Sequence, residues 1–428
     1  MSTNLFNPID KRKYPSRWPL YRGKQLFRVI DERSDEGTED LLSVSHITGI
    51  TPRSQKNVTM FKSESLIGYK LCQMGDIVAN TMWTWQGAIG VSKYEGVVSP
   101  AYNVYRQRKD YFNSTYLDML LREHQLVDVY HSLSTGIRPS RLRLYPDVFL
   151  TIEFPVPPRA EQDQIVRFLD WKVSEINKLI GIRRKEIQEL EELKKSVIND
   201  SVKHGLNHTI YKDCGIRWIG QIPDSWKIHK TKQHVIITNG RNPEMKGDIP
   251  VYGSGRTSFC TCGEYKNGPA VLLGRKGSIK EPQYITGKYW NVDTAFDVIL
   301  RLDDFNLKYF YYLATQFEYD YYTTQTAIPS MTQTDYNNIS IPVPPLEEQN
   351  LIVTFLDSKC EEIDNGINLV KEKIFALQEL KSVIISDVVT GKIDVRNIPV
   401  PAYEHVDDLT ADDGEGNDEE TGIPGEED

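Results

Sequence analysis

Side chains that can form paired hydrogen bonds with a planar partner gather in two parts of this chain that are rich in turn residues. Arginine can read the edge of guanine in this way, and asparagine or glutamine can read adenine. The first cluster comprises Trp83, Trp85, Gln86, Ser134, Thr135, Arg138, Arg141 and Arg143. The second cluster comprises Asn239, Arg241, Asn242, Arg256, Arg275, Lys276, Gln325 and Thr326. For any one of these residues a solvated surface side chain is the simpler interpretation, so the prediction of nucleic-acid contact rests on the clusters.

Motifs for catalysis are scarce. The sequence has no Gly-x-x-x-x-Gly-Lys-Ser/Thr phosphate loop, no Gly-x-Gly-x-x-Gly fingerprint and no Asn/Asp-Pro-Pro-Tyr/Phe element of adenine methyltransferases. Cys260 and Cys262 lack the second cysteine pair that is typical of a zinc site. One alternative stays open, because Asp224, Glu264 and Lys266 loosely resemble the motif of metal-dependent nucleases. The main expectation is that this chain has no catalytic residue, no metal site and no cofactor.

The residues that could do chemistry are embedded in a tandem repeat. The motif Pro-Val-Pro-Pro-x-x-Glu-Gln-x-x-Ile-Val-x-Phe-Leu-Asp begins at Pro155 and again at Pro342, 187 positions later. The blocks that precede the two copies share short segments, such as Tyr14-Pro-Ser-Arg-Trp18 and Ile222-Pro-Asp-Ser-Trp226, but their interiors differ. A shared frame with divergent interiors predicts two domains with one fold and different targets.

Each copy of the motif opens a long amphipathic segment of about 45 residues, which would extend roughly 65 Å as an α-helix. Proline suits the first turn of a helix, and Gly205 and Gly391 are plausible ends. Apolar heptad rows sustained over four heptads predict that the two segments pair as an antiparallel coiled coil. Two helices buried in separate domains are the alternative. The predicted seam comprises Leu169, Val173, Ile176, Ile180, Ile187, Leu190, Val197, Leu356, Ile363, Ile367, Val370, Ile374, Leu377 and Ile384.

Short strand-like runs alternate with glycine-rich turns in both blocks, which predicts an α+β fold with two mixed α/β domains. The tyrosine-rich segment from Tyr309 to Tyr322 is interpreted as an amphipathic helix followed by a loop, with its rings in the core. The predicted divisions are 1–157 for the first domain, 158–205 for the first spacer helix, 206–344 for the second domain, 345–396 for the second spacer helix and 397–428 for a tail.

The charge of the chain is unevenly distributed. The whole chain carries a net charge of −9, but twelve carboxylates and no lysine or arginine lie in residues 404–428. Without that segment 51 basic and 48 acidic residues remain, a net charge of +3, which permits contact with nucleic acid. Such an acidic, apolar-poor segment predicts a disordered tail. Five unevenly spaced cysteines, no membrane-spanning apolar run and a polar N-terminus without a signal peptide predict a cytoplasmic protein.

The paired motif, the Ile-Pro-x-x-Trp segment at Ile222 and the turns Tyr252-Gly-Ser-Gly and Gly274-Arg-Lys-Gly resemble the DNA specificity subunits of type I restriction-modification systems. The resemblance covers about residues 14–396. It implies that each block is a target recognition domain that reads half of a bipartite site in double-stranded DNA. It also implies that the helices set the gap and dock two methyltransferase subunits and, through them, restriction-translocase subunits. S-adenosylmethionine, ATP and Mg²⁺ would then belong to those partners. A coiled-coil interaction scaffold without a role on DNA is the competing interpretation.

Overall fold

The computed structural model of this protein describes residues 14–55, 65–136, 142–255, 257–323 and 328–407. The chain forms two compact units. Unit 1 contains Met1–Arg183 together with Lys373–Asp428, and unit 2 contains Arg184–Glu372. Each unit therefore combines one irregular block with a part of both long helices.

Unit 1 begins with short strands and helices that surround an antiparallel sheet. Its strands are β1 (Leu20–Arg22), β2 (Phe27–Ile30), β3 (Leu42–Ser45), β4 (Gly49–Pro52), β5 (Lys70–Cys72), β6 (Ile77–Asn80), β7 (Ile89–Val91), β8 (Gly96–Val98), β9 (Tyr102–Gln107) and β10 (Glu153–Pro155). Its short helices are α1 (Gly23–Leu26), α2 (Ser114–Leu121), α3 (His124–Leu133) and α4 (Pro146–Phe149). The first long helix, α5 (Arg159–His204), follows the repeated proline motif.

Unit 2 repeats this plan with a longer set of strands. They are β11 (Tyr211–Asp213), β12 (Gln221–Pro223), β13 (Lys227–Lys230), β14 (Val235–Asn239), β15 (Ile249–Tyr252), β16 (Cys260–Cys262), β17 (Lys266–Asn267), β18 (Ala270–Gly274), β19 (Gln283–Ile285), β20 (Lys288–Asn291), β21 (Ala295–Leu300) and β22 (Ser340–Val343). The helices are α6 (Leu307–Ala314), α7 (Tyr319–Tyr322), α8 (Gln333–Asn338) and the second long helix, α9 (Leu346–Val389).

The two blocks share one sheet topology, as the repeat predicts. The central antiparallel sheet has the order β2-β9-β6-β7 in unit 1 and β14-β21-β18-β19 in unit 2. In each block, the strand after the shared tryptophan (Trp18 or Trp226) pairs with the strand before the long helix. These pairs are β1 with β10 and β13 with β22. Unit 2 also has a mixed sheet of order β16-β15-β20-β17, in which β15 and β20 are parallel. Unit 1 has the corresponding antiparallel pairs β3-β4 and β5-β8, joined by a parallel bridge between Leu41 and Val97. The predicted α+β class is confirmed, and the two blocks share both sheets although their sequences differ.

The tyrosine-rich segment splits into two helices, α6 and α7. Tyr309, Tyr312 and Tyr319 are buried in the core of unit 2, beside Phe310 and Phe317. Their role is therefore packing, which was the preferred interpretation of this segment.

The glutamine of the repeated motif fastens each long helix to its own block. Gln162 donates a hydrogen bond to the carbonyl of Pro157 at 2.9 Å and accepts one from the backbone N–H of Asn113 at 2.8 Å. Gln349 makes the equivalent bonds, to the matching proline carbonyl at 2.9 Å and from the N–H of Asn306 at 2.8 Å. Both side chains are almost completely buried. The glutamine that is repeated in both motifs therefore has a structural role, which is to attach each long helix to its own block.

Replacing Gln349 by alanine is expected to lower the free energy of unfolding by about 2 kcal/mol, because a half-buried N–H and a buried carbonyl lose their partners. Urea denaturation followed by tryptophan fluorescence measures this loss. Gln188→Ala is the matched control, since the Gln188 amide bonds to exposed Glu192 on the surface of α5 and its loss is expected to cost less than about 0.5 kcal/mol. Equal losses of unfolding free energy in the two variants would contradict the structural role of Gln349.

The predicted seam residues are all buried or half-buried. Buried in unit 1 are Leu169, Ile176 and Ile180, and buried in unit 2 are Leu356, Ile363, Ile367 and Val370. Half-buried are Val173, Ile187, Leu190, Val197, Ile374, Leu377 and Ile384.

Polar pairs between the long helices show their direction. In unit 2, Lys194 Nζ lies 2.6 Å from a carboxylate oxygen of Asp364. A Cβ built on Gly366 would lie 3.8 Å from the side chain of Leu190, so later residues of α9 face earlier residues of α5. In unit 1, Lys381 Nζ donates to Asn177 Oδ1 at 3.1 Å, which is the same pair displaced by the repeat. The antiparallel arrangement is therefore confirmed within each unit.

The C-terminal segment differs from the prediction. Residues 397–407 lie among the described residues and contact α5, whereas the predicted tail began at residue 397. Residues 408–428 lie outside the described residues. The five cysteines are free thiols. Among the described residues, none of the helices combines the length and the apolar content that crossing a membrane requires.

Candidate nucleic-acid interface

Three segments of unit 1 meet at the end of β6. Leu144 donates a backbone hydrogen bond to the carbonyl of Thr81 at 3.3 Å, and Asn103 Nδ2 donates to Thr81 Oγ1 at 3.0 Å. Thr135 and Arg143 exchange backbone hydrogen bonds at 3.0 and 2.9 Å. The turn after β6 and the paired segments 134–136 and 142–144 therefore form one loop cluster.

The loop cluster of unit 1 presents aromatic rings. Trp83 and Trp85 are half-buried and stacked, with ring centroids 6.1 Å apart and planes 17° apart. The Trp85 ring also lies 5.5 Å from the ring of His131 on α3, and its indole N–H donates to the carbonyl of Met82 at 2.7 Å. Gln86 is exposed on the same turn. The indole rings of this turn thus offer apolar faces, while Gln86 offers hydrogen bonds.

Ser134 is half-buried, and its hydroxyl donates to the carbonyl of Tyr130 at 2.7 Å. Thr135 and Arg143 are exposed. The structure therefore brings together six of the eight residues predicted in unit 1. The other two, Arg138 and Arg141, lie outside the described residues.

A matching cluster forms at the end of β18 in unit 2. The backbone N–H of Arg275 donates to the carbonyl of Thr294 at 2.8 Å, and its carbonyl accepts from Met331 at 3.1 Å. Lys276 pairs with Ser330 in an antiparallel bridge. The bond from Met331 to Arg275 repeats the bond from Leu144 to Thr81 in unit 1. Arg275 and Lys276 thus occupy the turn that carries the two tryptophans in the other unit.

A third loop joins this cluster from β14. Arg241 donates its backbone N–H to the carbonyl of Asn291 at 3.0 Å, and its guanidinium lies 5.1 Å from the ring centroid of Trp290. Gly240 lies so close that a Cβ there would be 2.1 Å from the carbonyl oxygen of Val292, so this approach requires glycine. The side chains of Asn239, Arg241 and Asn242 are exposed beside it. Five of the eight residues predicted in unit 2 are therefore gathered here, and Arg256, Gln325 and Thr326 lie outside the described residues.

The residues of the nuclease alternative have structural partners. Glu264 accepts hydrogen bonds from the backbone N–H groups of Glu244 and Met245 at 2.9 and 3.0 Å, which lower the pKa of its carboxyl. Lys266 Nζ lies 2.8 Å from buried Asp297. Among the described residues there is no group of three or more His, Cys, Asp or Glu side chains that could hold a metal ion. Glu264 therefore stabilises the loop at Glu244 and Met245, and Lys266 links β17 to β21.

The heptad pattern predicted only the seam residues, but the long helices also expose apolar residues. Ile182 and Leu380 of unit 1 are 50% and 47% exposed, and Leu369 and Leu193 of unit 2 are 52% and 50% exposed. The repeat of 187 positions relates Ile182 to Leu369 and Leu193 to Leu380. Unit 1 also contains a shallow groove of about 340 Å³ lined by Leu179, Arg183, Lys373, Ala376, Leu377 and Leu380. Leucine and isoleucine outside the heptad rows of a charged helix were the signal for this surface.

Comparison with known proteins gives a consistent result. Residues 223–374 match the family described as Type I restriction modification DNA specificity domain. The chain is 26% identical over 343 residues to the type I restriction enzyme MjaVIII specificity subunit of Methanocaldococcus jannaschii, covering 70% of this chain and 78% of that protein. A protein of the same archaeon with the provisional name MjaX specificity subunit is 23% identical over 439 residues, covering 91% of this chain and 97% of that protein.

A solved structure supports the fold. It comes from work on complex assembly and conformational transition of the type I R-M system, and it matches with a TM-score of 0.63 at 16% identity. The match covers 89% of this chain and 99% of the solved chain.

Proposed function

Because this chain belongs to the family of type I restriction-modification specificity subunits, we propose that it reads a bipartite DNA target, with one loop cluster for each half-site. The observation that carries this proposal is the equivalence of the two clusters. Both lie at the end of the third strand of the central sheet and are closed by the same backbone hydrogen bond, Leu144 to Thr81 and Met331 to Arg275. Their side chains differ, so the two half-sites have different sequences.

The chemistry of the two clusters suggests what each reads. Arg241, Asn242, Arg275 and Lys276 in unit 2 supply donors for guanine and adenine edges and for phosphates. Trp83, Trp85 and Gln86 in unit 1 supply apolar contact, such as with the methyl group of thymine, beside one amide.

The exposed apolar pairs on the long helices support docking of two methyltransferase subunits, one on each unit. Each unit exposes two such residues at positions related by the repeat, and apolar surface of this kind is typical of protein interfaces. The docked subunits would supply the chemistry of S-adenosylmethionine and would recruit ATP-dependent and Mg²⁺-dependent restriction subunits. This chain would itself be non-catalytic and would act in the cytoplasm.

The proposal is tested by exchanging the first block, residues 14–157, for the matching block of a relative and sequencing the methylated sites made by the assembled complex. One half-site is expected to change while the other half-site and the gap stay the same. A change in both half-sites, or a target without a gap, would contradict the assignment of one cluster to each half-site. Failure of the complex to bind DNA at any salt concentration would favour the scaffold interpretation instead.

A further inference from the structure

The C-terminal segment lies along α5 between two amide side chains. Gln164 Nε2 donates to the carbonyls of Val395 and Ile398 at 3.1 and 2.7 Å. Asn177 Nδ2 donates to the carbonyl of Val406 at 2.9 Å. We call residues 398–407 the strap. Gln164 and Asn177 are thirteen residues apart on one helix, so the strap covers roughly 20 Å of α5.

Asp170 lies at the centre of the strap contact. Its carboxylate accepts a hydrogen bond from the hydroxyl of Tyr403 and lies 3.1 Å from Nδ1 of His405. The bond to Asp170 raises the pKa of Tyr403 to about 12. Ser174, one turn further along α5, accepts from the backbone N–H of Val406 at 3.3 Å. One carboxylate of α5 therefore binds a phenol and an imidazole from the strap.

The equivalent carboxylate in unit 2 also binds a phenol and a nitrogen-containing side chain, but these come from helix α6 and not from the C-terminal segment. Asp357 on α9 corresponds to Asp170 by the repeat of 187 positions. It accepts a hydrogen bond from the hydroxyl of Tyr312 at 2.6 Å and lies 2.7 Å from Nζ of Lys308. Both partners belong to helix α6 of the irregular block in unit 2. A phenol and a nitrogen-containing side chain thus contact the same helix position in both units.

In unit 1 the two helix positions that correspond to Lys308 and Tyr312 hold other residue types. Helices α2 and α6 are equivalent, because Asn113 and Asn306 cap them and each Asn backbone N–H binds the motif glutamine. Counting from these caps, Lys308 corresponds to Thr115, and Tyr312 corresponds to Met119. A threonine hydroxyl is too short to replace a lysine ammonium, and a methionine has no donor.

We infer that the strap completes unit 1 by supplying, from the C-terminus of the chain, the two partners of Asp170 that the recognition block supplies to Asp357 in unit 2. It is a docking site on α5 for one segment of this chain, and it holds the first half of α5 in place. The acidic C-terminal region accordingly has two parts with different roles. Residues 398–407 are structural, and residues 408–428 can be removed without loosening α5.

Hydrogen exchange of the full chain, measured by mass spectrometry without DNA, tests this inference separately from the proposed function. A chain that ends at Pro399 is expected to exchange about tenfold faster in α5 residues 168–178, since that part of the helix loses its partners. A chain that ends at Asp407 is the control and is expected to exchange at the full-length rate. Residues 355–365 of α9 are expected to be unchanged in both. Unchanged exchange in 168–178, or equal acceleration in α9, would overturn the inference.

The equivalence with unit 2 is tested in the chain that ends at Pro399. The double substitution T115K and M119Y places the unit 2 donors on α2 and is expected to restore most of the slow exchange. The matched pair T115K and M119F keeps the ring but lacks the hydroxyl, and is expected to restore less. Equal restoration by both pairs would show that packing replaces the donors, and no restoration by either would show that the two positions are not equivalent; both results contradict the inference.

Discussion

Replacing Arg275 and Lys276 by alanine is expected to relax the sequence that unit 2 reads, while the half-site of unit 1 stays the same. The two side chains follow β18 and lie beside the loop that carries Arg241 and Asn242. A paired hydrogen bond between arginine and guanine contributes about 1–3 kcal/mol of discrimination. We therefore expect the Arg275→Ala substitution by itself to reduce the preference for one base by roughly 5-fold to 150-fold.

Sequencing of methylated sites in cells that carry the variant measures this effect. Arg301→Ala is the matched control, because Arg301 follows the opposite end of β21 and its guanidinium donates to the carbonyl of Lys232 at 3.1 Å. The control is expected to leave the target unchanged. Loss of methylation without any change in sequence preference would mean that Arg275 contacts phosphate rather than a base, since phosphate contacts position the protein but carry no sequence information.

Inserting one heptad into each long helix is expected to lengthen the gap between the half-sites by about three base pairs. Seven helical residues add roughly 10.5 Å, and DNA rises 3.4 Å for each base of a strand. Lys194 faces Asp364 in unit 2, so facing insertions belong immediately before Lys194 and immediately after Asp364. A copy of residues 187–193 in α5 and a copy of residues 365–371 in α9 keep the apolar rows in register.

The gap is read from the methylated sites of the assembled complex. The matched control carries the insertion in α5 alone, which shifts the facing residues by one heptad and is expected to reduce the yield of folded complex. An unchanged gap in the doubly inserted chain would contradict the role of the helices in setting the spacing. Changed half-sites with an unchanged gap would show that the insertion disturbs the blocks instead.

The sequence predicted the long helices closely. Segments of about 45 residues were expected, and α5 and α9 contain 46 and 44 residues. The reason is that heptad periodicity and a proline in the first turn are local signals, which tertiary contacts rarely override over four heptads. The role of the motif glutamines was not predicted, because their partners, Asn113 and Asn306, lie more than forty residues away.

The candidate interface was predicted as a set of residue types but not as a geometry. The preference for arginine and asparagine beside turns was visible in the sequence. That the turn after β18, the end of β14 and the segment before Met331 meet at one place depends on strand pairing between residues far apart in the chain. The periodicity of apolar residues in the sequence contains no information about that strand pairing. The sequence therefore could not rank the individual residues as candidates for DNA contact.

The sequence alone determined the duplication, the α+β blocks and the two apolar helix rows, since these follow from spacing within each segment. The tertiary structure decided the partners of Asp170. The C-terminal segment is acidic and was assigned to a tail, yet Tyr403 and His405 lie on α5 more than 230 positions away. A carboxylate on a helix is stabilised by whichever donors the fold brings to it. Only the folded chain shows that Asp170 takes its partners from the C-terminal segment, whereas Asp357 takes them from α6.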